Sequence, residues 1–304
     1  MEKSFRFSFF VMLLMFLISF GLCIFAVLIV GVFSISLAFY LFLATIVSTL
    51  LSITIIGGVF TSLTRYLVHI RQFYKLNSLT HPLLLRLSTE APGTYHHSIL
   101  VANLSAKAAK TIGADSLICR VASYFHDIGK LKNPGFFVEN QNSSENHEKD
   151  EKNQNFQSLK KDSKIVLQHV DEGVKMVKDA HLPREIINIV AQHHGTTTCS
   201  YFYELAKKID PKKTKKAEFK YSGPKPQTKE AAIIMLADSI EAKARVKDNA
   251  IDIPKMVKET IDERISENQL DESSLSQKEI TRLKNIFTNT LESMLHPRIE
   301  YPKK

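Results

Sequence analysis

The residues of this sequence that could carry chemistry are five histidines and two aspartates, set in largely apolar, predicted helical stretches. They form two adjacent pairs and three isolated positions: His126-Asp127, His193-His194, His97, His169 and Asp238. Burying an imidazole or a carboxylate is costly unless it is hydrogen-bonded, paired with an opposite charge or bound to a metal. The joint presence of these groups, one of them a carboxylate able to bridge two cations, therefore predicts a two-metal hydrolytic site.

Asp127 is the expected bridging residue. Consecutive residues of a helix point about 100° apart, so His126 and Asp127 at a helix end address neighbouring points. An aspartate has two oxygens that can bind two cations, whereas an imidazole binds one, and we expect His126 to bind only the first metal. Mixed histidine and carboxylate ligands favour Mn, Fe, Co or Zn over Ca or Mg, and the lack of thiolate ligands disfavours a structural zinc site.

Several of these positions also have an ordinary structural interpretation. His169 taken alone is typical of a hydrogen-bonded core histidine. Asp238 lies among apolar neighbours and needs a cation, for which a metal and Arg245 are the two candidates. Lys130, three residues past the expected bridging aspartate, is placed to meet a phosphate oxygen; its alternative is a surface lysine after a glycine turn.

The elements that must position these groups are predicted to be helices. From His81 onward apolar residues recur at helical spacing, and no run alternates convincingly as strands do, so we expect an all-α domain. The predicted helices are Ile99 to Ile112 before Gly113, a segment from Asp115 to Phe125, Ser163 to Ala180, a helix with Pro183 in its first turn, and Thr228 to Val246. His97 heads the first of these, which suits a ligand, whereas His96 is expected in a supporting or surface position.

Two polar segments interrupt this helical pattern. Residues 139–161 are rich in Asn, Gln, Glu, Lys and Ser, which predicts a mobile loop or lid. His147 within it could approach the site when the loop closes. Residues 207–216 are rich in lysine, for which a solvated loop is the default interpretation and contact with a membrane or a nucleotide is the alternative.

The first sixty residues differ from the rest in being almost wholly apolar. The runs Phe7 to Phe33 and Leu37 to Phe60 are each long enough to cross a bilayer, which takes roughly 20 residues. Basic residues precede the first run and follow the second, so the positive-inside rule places both ends in the cytoplasm. We therefore predict two transmembrane helices in residues 1–64, a juxtamembrane connector in 65–80, and a cytoplasmic phosphohydrolase domain in 81–304 of a multi-pass cell-membrane protein.

The charge and the cysteines narrow the class of protein further. The net charge is +9, which suits a domain beside an anionic leaflet or one that acts on an anionic substrate. The three cysteines share no ligand-like spacing and indicate a reduced compartment rather than a disulfide framework. A glycine-rich phosphate loop and zinc-finger cysteine pairs are absent from the sequence.

The order of the seven groups resembles that of the HD-domain phosphohydrolase superfamily. From about residue 77 to residue 302, the sequence around these groups is similar to that of the PgpH-type cyclic di-AMP phosphodiesterases, also called seven-transmembrane HD proteins. The motifs that carry this resemblance are Glu90-Ala91-Pro92-Gly93-Thr94-Tyr95-His96-His97-Ser98, His126-Asp127-Ile128-Gly129-Lys130, Glu139-Asn140-Gln141, His193-His194-Gly195-Thr196-Thr197, Ser200-Tyr201-Phe202-Tyr203, Gly223-Pro224-Lys225-Pro226-Gln227-Thr228-Lys229-Glu230-Ala231-Ala232 and Arg298-Ile299-Glu300-Tyr301-Pro302.

The resemblance implies two divalent transition-metal ions, Fe or Mn, and opening of cyclic di-AMP to linear pApA by a metal-bound hydroxide. By motif position the first metal takes His97, His126, Asp127 and Asp238, and the second takes Asp127, His169, His193 and His194. Catalytic roles fall to Asp127, His126 and Lys130. The further candidates for substrate contacts, beside Lys130, are Tyr95, Asn140, Thr196 and Tyr201.

The expected partners are therefore the cyclic dinucleotide and the lipid bilayer, without a nucleic acid polymer, and the oligomeric state stays open. Members of this family usually carry a large extracytoplasmic domain and seven spans, so the resemblance implies a reduced form or part of a longer protein, truncated on the N-terminal side. The polar loop of residues 139–161 also differs from the family pattern. It contains Asn146-His147-Glu148 where family members tend to have Asn-Pro-His-Asp. Two alternatives remain: hydrolysis of another nucleotide such as (p)ppGpp, and a non-catalytic nucleotide-binding membrane signalling module.

Overall fold

The computed structural model describes residues 14–29 except 15, 16, 19 and 23, and residues 35–141, 155–246 and 252–295 throughout. The chain divides into two compact units, Met1–Tyr74 and Lys75–Lys304. Within the described residues the secondary structure is helical, apart from an isolated antiparallel bridge between Thr198 and Lys220. The predicted all-α fold class is confirmed.

The structure gives the following bounds for the helices. The α-helices are α1 Ile35–Leu76, α2 Pro82–Glu90, α3 Pro92–Ile112, α4 Ser116–Phe125, α5 Phe156–Asp179, α6 Arg184–Gln192, α7 Ser200–Ile209, α8 Lys229–Val246, α9 Ile253–Ser266 and α10 Gln277–Leu295. Short 3-10 helices are Ile128–Lys132, Pro134–Phe136, Val138–Asn140 and Lys216–Phe219.

Helix α1 dominates the first unit. It has 42 residues, and its mean hydropathy reaches 2.2 over an 18-residue window, so by length and composition it is able to cross a membrane. The predicted span from Leu37 to Phe60 lies inside it. The helix continues through residues 65–76, where we expected a connector, because no glycine or proline occurs between Gly58 and Pro82 to end it.

The other predicted span, Phe7 to Phe33, lies largely outside the described residues. Its described part includes a short apolar helix, Phe20–Ile29, which by itself is shorter than a bilayer requires. Among the described residues, α1 is therefore the one candidate for a membrane span.

The second unit is built around α3. Alanines keep this helix slim, and Ala102, Ala106, Ala108 and Ala109 are all buried. Its neighbours α4, α8 and α10 pack closely against it. Helix α8 is buried on nearly every side, since all residues from Ala231 to Ala237 are 1 % exposed or less. These helices form the rigid frame that carries the candidate ligands.

Two helices begin about two turns earlier than the sequence pattern predicts. Helix α3 begins at Pro92 instead of Ile99, because proline is well suited to the first helical position. His97 consequently lies in the second turn and not at the start of the helix. Helix α5 begins at Phe156 instead of Ser163, since Asn155 accepts a hydrogen bond from the Ser158 N–H at 2.8 Å.

The predicted loops are correspondingly shorter. Helix α5 takes over the end of the expected 139–161 loop because Leu159 is fully buried against Ala206 and Phe219. Residues 142–154, with His147, lie outside the described residues. The expected loop 207–216 begins as the last turn of α7 and ends in a 3-10 helix. Pro183 precedes α6 as its N-cap residue and does not occupy its first turn.

Asp115 is the N-cap of α4, which carries the first ligand pair at its other end. Its carboxylate accepts hydrogen bonds from the N–H groups of Leu117 and Ile118, both at 2.9 Å. We expect Asp115→Ala to lower the free energy of unfolding by about 1 kcal/mol, the usual cost of losing such a cap. Thermal unfolding of the variant measures it. Asp115→Asn keeps an accepting oxygen and should retain most of the stability.

Candidate metal centre

Five elements bring the seven predicted ligands together. His126 and Asp127 follow α4 directly, and His193 and His194 follow α6, so both adjacent pairs lie at helix C-termini. The remaining three come from helix interiors: His97 from α3, His169 from α5 and Asp238 from α8. All but His194 are buried. Polar side chains from separate helices therefore converge in the middle of the domain.

The carboxylate of Asp127 lies between two groups of imidazoles. Its Oδ2 atom is 3.2 Å from His126 Nε2 and 3.5 Å from His97 Nε2. Its Oδ1 atom is 3.3 Å from His169 Nε2 and 3.7 Å from His193 Nε2. Because each oxygen faces a different group, this carboxylate has the arrangement that a bridging ligand needs.

Asp238 completes the group around His97. Its Oδ1 atom lies 3.0 Å from His97 Nε2 and 3.8 Å from His126 Nε2. Its other oxygen lies 3.7 Å from Nδ1 of His194. The alternative partner for Asp238, Arg245, instead pairs with Glu241. Asp238 therefore faces the histidines and not Arg245, as expected of a metal ligand.

Backbone carbonyls orient three of the imidazoles in the same way. Nδ1 of His126 lies 2.7 Å from the carbonyl oxygen of Ser123, three residues earlier. The same contact joins His169 to Val166 at 2.6 Å and His193 to Val190 at 2.8 Å. An N–H on Nδ1 satisfies each carbonyl and leaves the Nε2 lone pair directed at the centre, as metal-binding histidines require.

His97 is oriented by a carboxylate instead. Its Nδ1 contacts Glu241 Oε2, and the other oxygen of Glu241 accepts a hydrogen bond from the Arg245 guanidinium. Both Glu241 and Arg245 lie on α8, one and two turns beyond Asp238. A carboxylate behind a ligand histidine fixes its tautomer and raises its basicity.

We expect Glu241→Gln to weaken metal binding about 10- to 100-fold, the usual effect of removing such a supporting group. A chelator competition on the purified chain measures this affinity. Glu263→Gln is the matched control. The Glu263 side chain is half-exposed and pairs with Lys243, and among the described contacts it has none with a ligand histidine. Equal metal affinity for the Glu241 and Glu263 variants would contradict the role of Glu241.

Burial and neighbouring charges shift the pKa values of the candidate ligands. Burial disfavours charge on Asp127, but His126 and Lys130 beside it hold the pKa of the carboxyl well below its usual range. Burial likewise opposes a proton on His126, yet Asp127 raises its pKa to about 10. Burial and the neighbouring His193 hold the pKa of His194 well below the ordinary value. The neighbouring histidines likewise hold the pKa of Asp238 well below its usual range, so both buried carboxylates favour positive charge beside them.

The residues fit a pair of metal ions. Two polar atoms at the middle of the centre, His126 Nε2 and Asp127 Oδ1, are buried and have no hydrogen-bond partner. Such orphaned atoms are costly unless something satisfies them. The side chains also fall into two sets whose ligand atoms lie within 4.8 Å of one another: Asp127, His169, His193 and His194; and His97, His126 and Asp238.

A pocket of about 620 Å³ opens onto these ligands. His97, His169, His193, His194 and Asp238 form part of its wall. Three basic side chains, Lys243, Arg245 and Arg264, line it as well. The pocket is of the size that binds small molecules, and its basic wall suits an anionic one.

Lys130 lies in this pocket and is only 13 % exposed, so the surface-lysine interpretation is wrong. Its Nζ is 2.8 Å from Asp127 Oδ2 and 2.7 Å from Glu139 Oε1. The hydroxyl of Thr94 donates to the same oxygen of Glu139 at 2.9 Å. This chain of contacts holds the lysine at the centre, where it would meet a bound anion.

The other four candidates for substrate contacts do not line the pocket, as far as the described residues show. The Asn140 side chain accepts from the Thr94 N–H at 3.1 Å and so ties a 3-10 helix to α3. Thr196 is bonded to Gln269. Tyr201 is 53 % exposed on α7, and Tyr95 is half-buried. Their role in substrate binding stays a prediction.

Three residues of the centre were missed in the sequence: Glu139, Glu241 and Tyr221. The Tyr221 ring stacks on His194, with ring centroids 4.2 Å apart. Glu241 could have been found, since it lies three residues after Asp238 on one predicted helix face. Glu139 belongs to the Glu139-Asn140-Gln141 motif of the family resemblance, which assigned it no role, and Tyr221 lies in a segment without helical periodicity.

Histidines and aspartates in this order, converging from separate helices, are the arrangement of an HD domain. The sequence profile of the HD domain matches residues 94–243. The chain belongs to the HD domain family, and the resemblance that the motifs carried is confirmed. Its similarity extends further, to the HD domains of PgpH proteins.

Curated relatives and a solved structure document this similarity. The chain is 41% identical over 232 residues to the cyclic-di-AMP phosphodiesterase PgpH of Bacillus subtilis (strain 168), covering 75% of this chain and 32% of that protein. It is 41% identical over 231 residues to PgpH of Listeria monocytogenes serotype 1/2a (strain 10403S), covering 75% and 31%. The chain thus spans about a third of the length of these relatives.

The crystal structure of the L. monocytogenes PgpH HD domain in complex with cyclic-di-AMP superimposes with a TM-score of 0.66 at 41% identity. It covers 73% of this chain and all of that domain. A further crystal structure of the L. monocytogenes PgpH HD domain superimposes with a TM-score of 0.65 at 40% identity and covers 71% of this chain. The second unit therefore contains a full equivalent of this domain.

Proposed function

We propose that this chain is a membrane-anchored, two-metal phosphodiesterase that hydrolyses cyclic di-AMP to linear pApA in second-messenger signalling. The observation that carries the proposal is the position of Asp127, whose two oxygens face two separate histidine groups in the middle of the domain. The similarity to a domain that binds cyclic-di-AMP in its crystal structure supports the choice of substrate.

The seven side chains would hold the two ions as the motif order implies. His97, His126 and Asp238 would take the first ion, His169, His193 and His194 the second, and Asp127 both. When bound, such ions supply Lewis-acid polarisation of a phosphodiester and acidification of water at neutral pH. Mixed imidazole and carboxylate ligands favour Mn or Fe as their identity.

The chain's own basic side chains would bind and orient the substrate. Lys130, held between Asp127 and Glu139, would place one positive charge beside the phosphate at the ligand cluster. A cyclic dinucleotide has two phosphates. The candidates to meet the second are Lys243, Arg245 and Arg264 on the pocket wall, which pair with Glu263, Glu241 and Glu267. Lys130 is only 13 % exposed, and its attraction to a phosphate would be stronger there than in bulk water.

Helix α1 would anchor the enzyme. Its 42 residues span about 63 Å, twice the roughly 30 Å of a bilayer's hydrocarbon core. Arg65, Arg71 and Lys75 toward its C-terminal end favour that end in the cytoplasm. We propose a multi-pass protein of the cell membrane with its HD domain in the cytoplasm, where cysteine-labelling of either side of the membrane tests the orientation.

A nucleotide panel tests the substrate. The metal-loaded chain, supplied with cyclic di-AMP, cyclic di-GMP or (p)ppGpp, should convert the first to pApA fastest, as identified by chromatography. Faster turnover of (p)ppGpp would instead favour the alternative that the chain hydrolyses that nucleotide. A folded, metal-replete chain that binds cyclic di-AMP without turnover would instead make it a binding module.

A further inference from the structure

A strongly basic surface lies outside the metal centre, on residues 207–220, which we name the lysine face. These residues contain seven lysines and two acidic residues, a net charge of +5 out of +9 for the whole chain. All seven lysines are exposed, whereas Asp210 and Glu218 are half-buried. More than half of the chain's excess charge is therefore displayed on a short surface segment.

The lysine face is an ordered part of the fold. Phe219 is fully buried in a cluster with Leu159 and Ala206. Two backbone hydrogen bonds fix the C-terminal end of the segment on either side of Lys220, from the Cys199 N–H to the Phe219 oxygen at 2.8 Å and from the Tyr221 N–H to the Thr197 oxygen at 3.0 Å. A charge run that only kept a loop solvated would not need this anchoring.

The lysines are also held close to one another. The Nζ atoms of Lys207 and Lys216 lie over the same ring, that of Tyr203, at 5.9 and 6.0 Å from its centroid. The Asp210 carboxylate accepts from the N–H groups of Lys212 and Lys213. The turn between α7 and the 3-10 helix thus folds the charges into one patch.

We propose that the lysine face binds the anionic headgroups of a lipid bilayer. Clustered lysines near a membrane are attracted to anionic lipids as compact point charges, without the bidentate geometry of arginine. The face contains no arginine, and the aromatic ring among its lysines, Tyr203, is occupied by two of them, which disfavours reading of nucleic acid bases. This inference rests on the proposed membrane anchor, which keeps a bilayer within reach, and is independent of hydrolysis.

Lysine acylation of the full chain, reconstituted in lipid nanodiscs and read by mass spectrometry, tests this contact. Discs of phosphatidylcholine alone are compared with discs that also contain phosphatidylglycerol. We expect acylation of Lys212 and Lys216 to slow about fivefold or more in the anionic discs. The protection should vanish at about 1 M salt, where the Debye length falls to ~3 Å. Lys175 and Lys178, which are exposed on α5, serve as internal references.

A pair of charge-matched variants sharpens the test. Replacing Lys212, Lys213, Lys215 and Lys216 by glutamine should abolish the protection of Lys207 and Lys220. The same change at four exposed lysines of other helices, Lys107, Lys110, Lys255 and Lys258, should leave that protection intact. Equal acylation in both kinds of disc would overturn the proposal, as would protection by single-stranded RNA in neutral discs without any by phosphatidylglycerol.

Discussion

Asp127→Asn is expected to abolish hydrolysis, with a loss of roughly a thousandfold or more, and to release metal from both halves of the centre. Asparagine keeps the size of the side chain but removes its charge and one of its two ligand oxygens. Asp127 faces His126 and His97 with one oxygen and His169 and His193 with the other. Asp238 faces His97 and His126 with one oxygen but reaches only His194 of the other group, at 3.7 Å.

Metal content and turnover of the same preparation measure this effect. Asp171→Asn is the matched control: Asp171 lies on α5 two residues after His169 but is exposed. It should keep both the metal and the activity. An Asp127→Asn variant that retains two ions per chain and near-normal turnover would show that another group bridges them.

The second large effect is expected from Gly129→Ala, which should destabilise the domain by about 3 kcal/mol or more. A Cβ at this position would lie 1.9 Å from the carbonyl oxygen of His169 and 2.5 Å from the backbone N of Gly173. The contacts are with backbone, so neither can move aside cheaply. Helix α5 would have to shift, and His169 would leave the centre with it.

Thermal unfolding measures this loss of stability as a fall in Tm of about 6–12 °C for a domain of this size. Gly135→Ala is the control six residues further on, because a Cβ there has no neighbour within 4 Å. It should change stability by about 0.5 kcal/mol at most. Equal stability of the two variants would contradict the tight packing of the Ile128–Lys132 helix on α5.

Much of the centre could be anticipated because its ligands are chemically conspicuous. Burying histidines and aspartates in apolar helical stretches is costly unless a partner or a metal compensates it. The structure brings all seven of these side chains together. Their identity as metal ligands stays a prediction until metal is measured. The all-α fold class could also be predicted, because apolar residues recur at helical spacing throughout the second unit.

The rest depended on contacts between distant segments. The early start of α5 follows from the burial of Leu159 against Phe219, sixty residues later. Asn140 and Thr196, which the resemblance offers as substrate contacts, form hydrogen bonds with Thr94 and Gln269 within the domain. Polar side chains that serve the fold and those that serve a ligand have the same appearance in a sequence, and only their neighbours distinguish them.

The central claim is that two ions held around Asp127 hydrolyse a cyclic dinucleotide. The most direct test titrates the metal-free chain with Mn²⁺ and measures, in each sample, the bound metal per chain and the conversion of cyclic di-AMP to pApA. The claim predicts that turnover rises with metal content and reaches its maximum as the second site fills. Hydrolysis by the metal-free chain, or none by a folded chain with both sites filled, would contradict it.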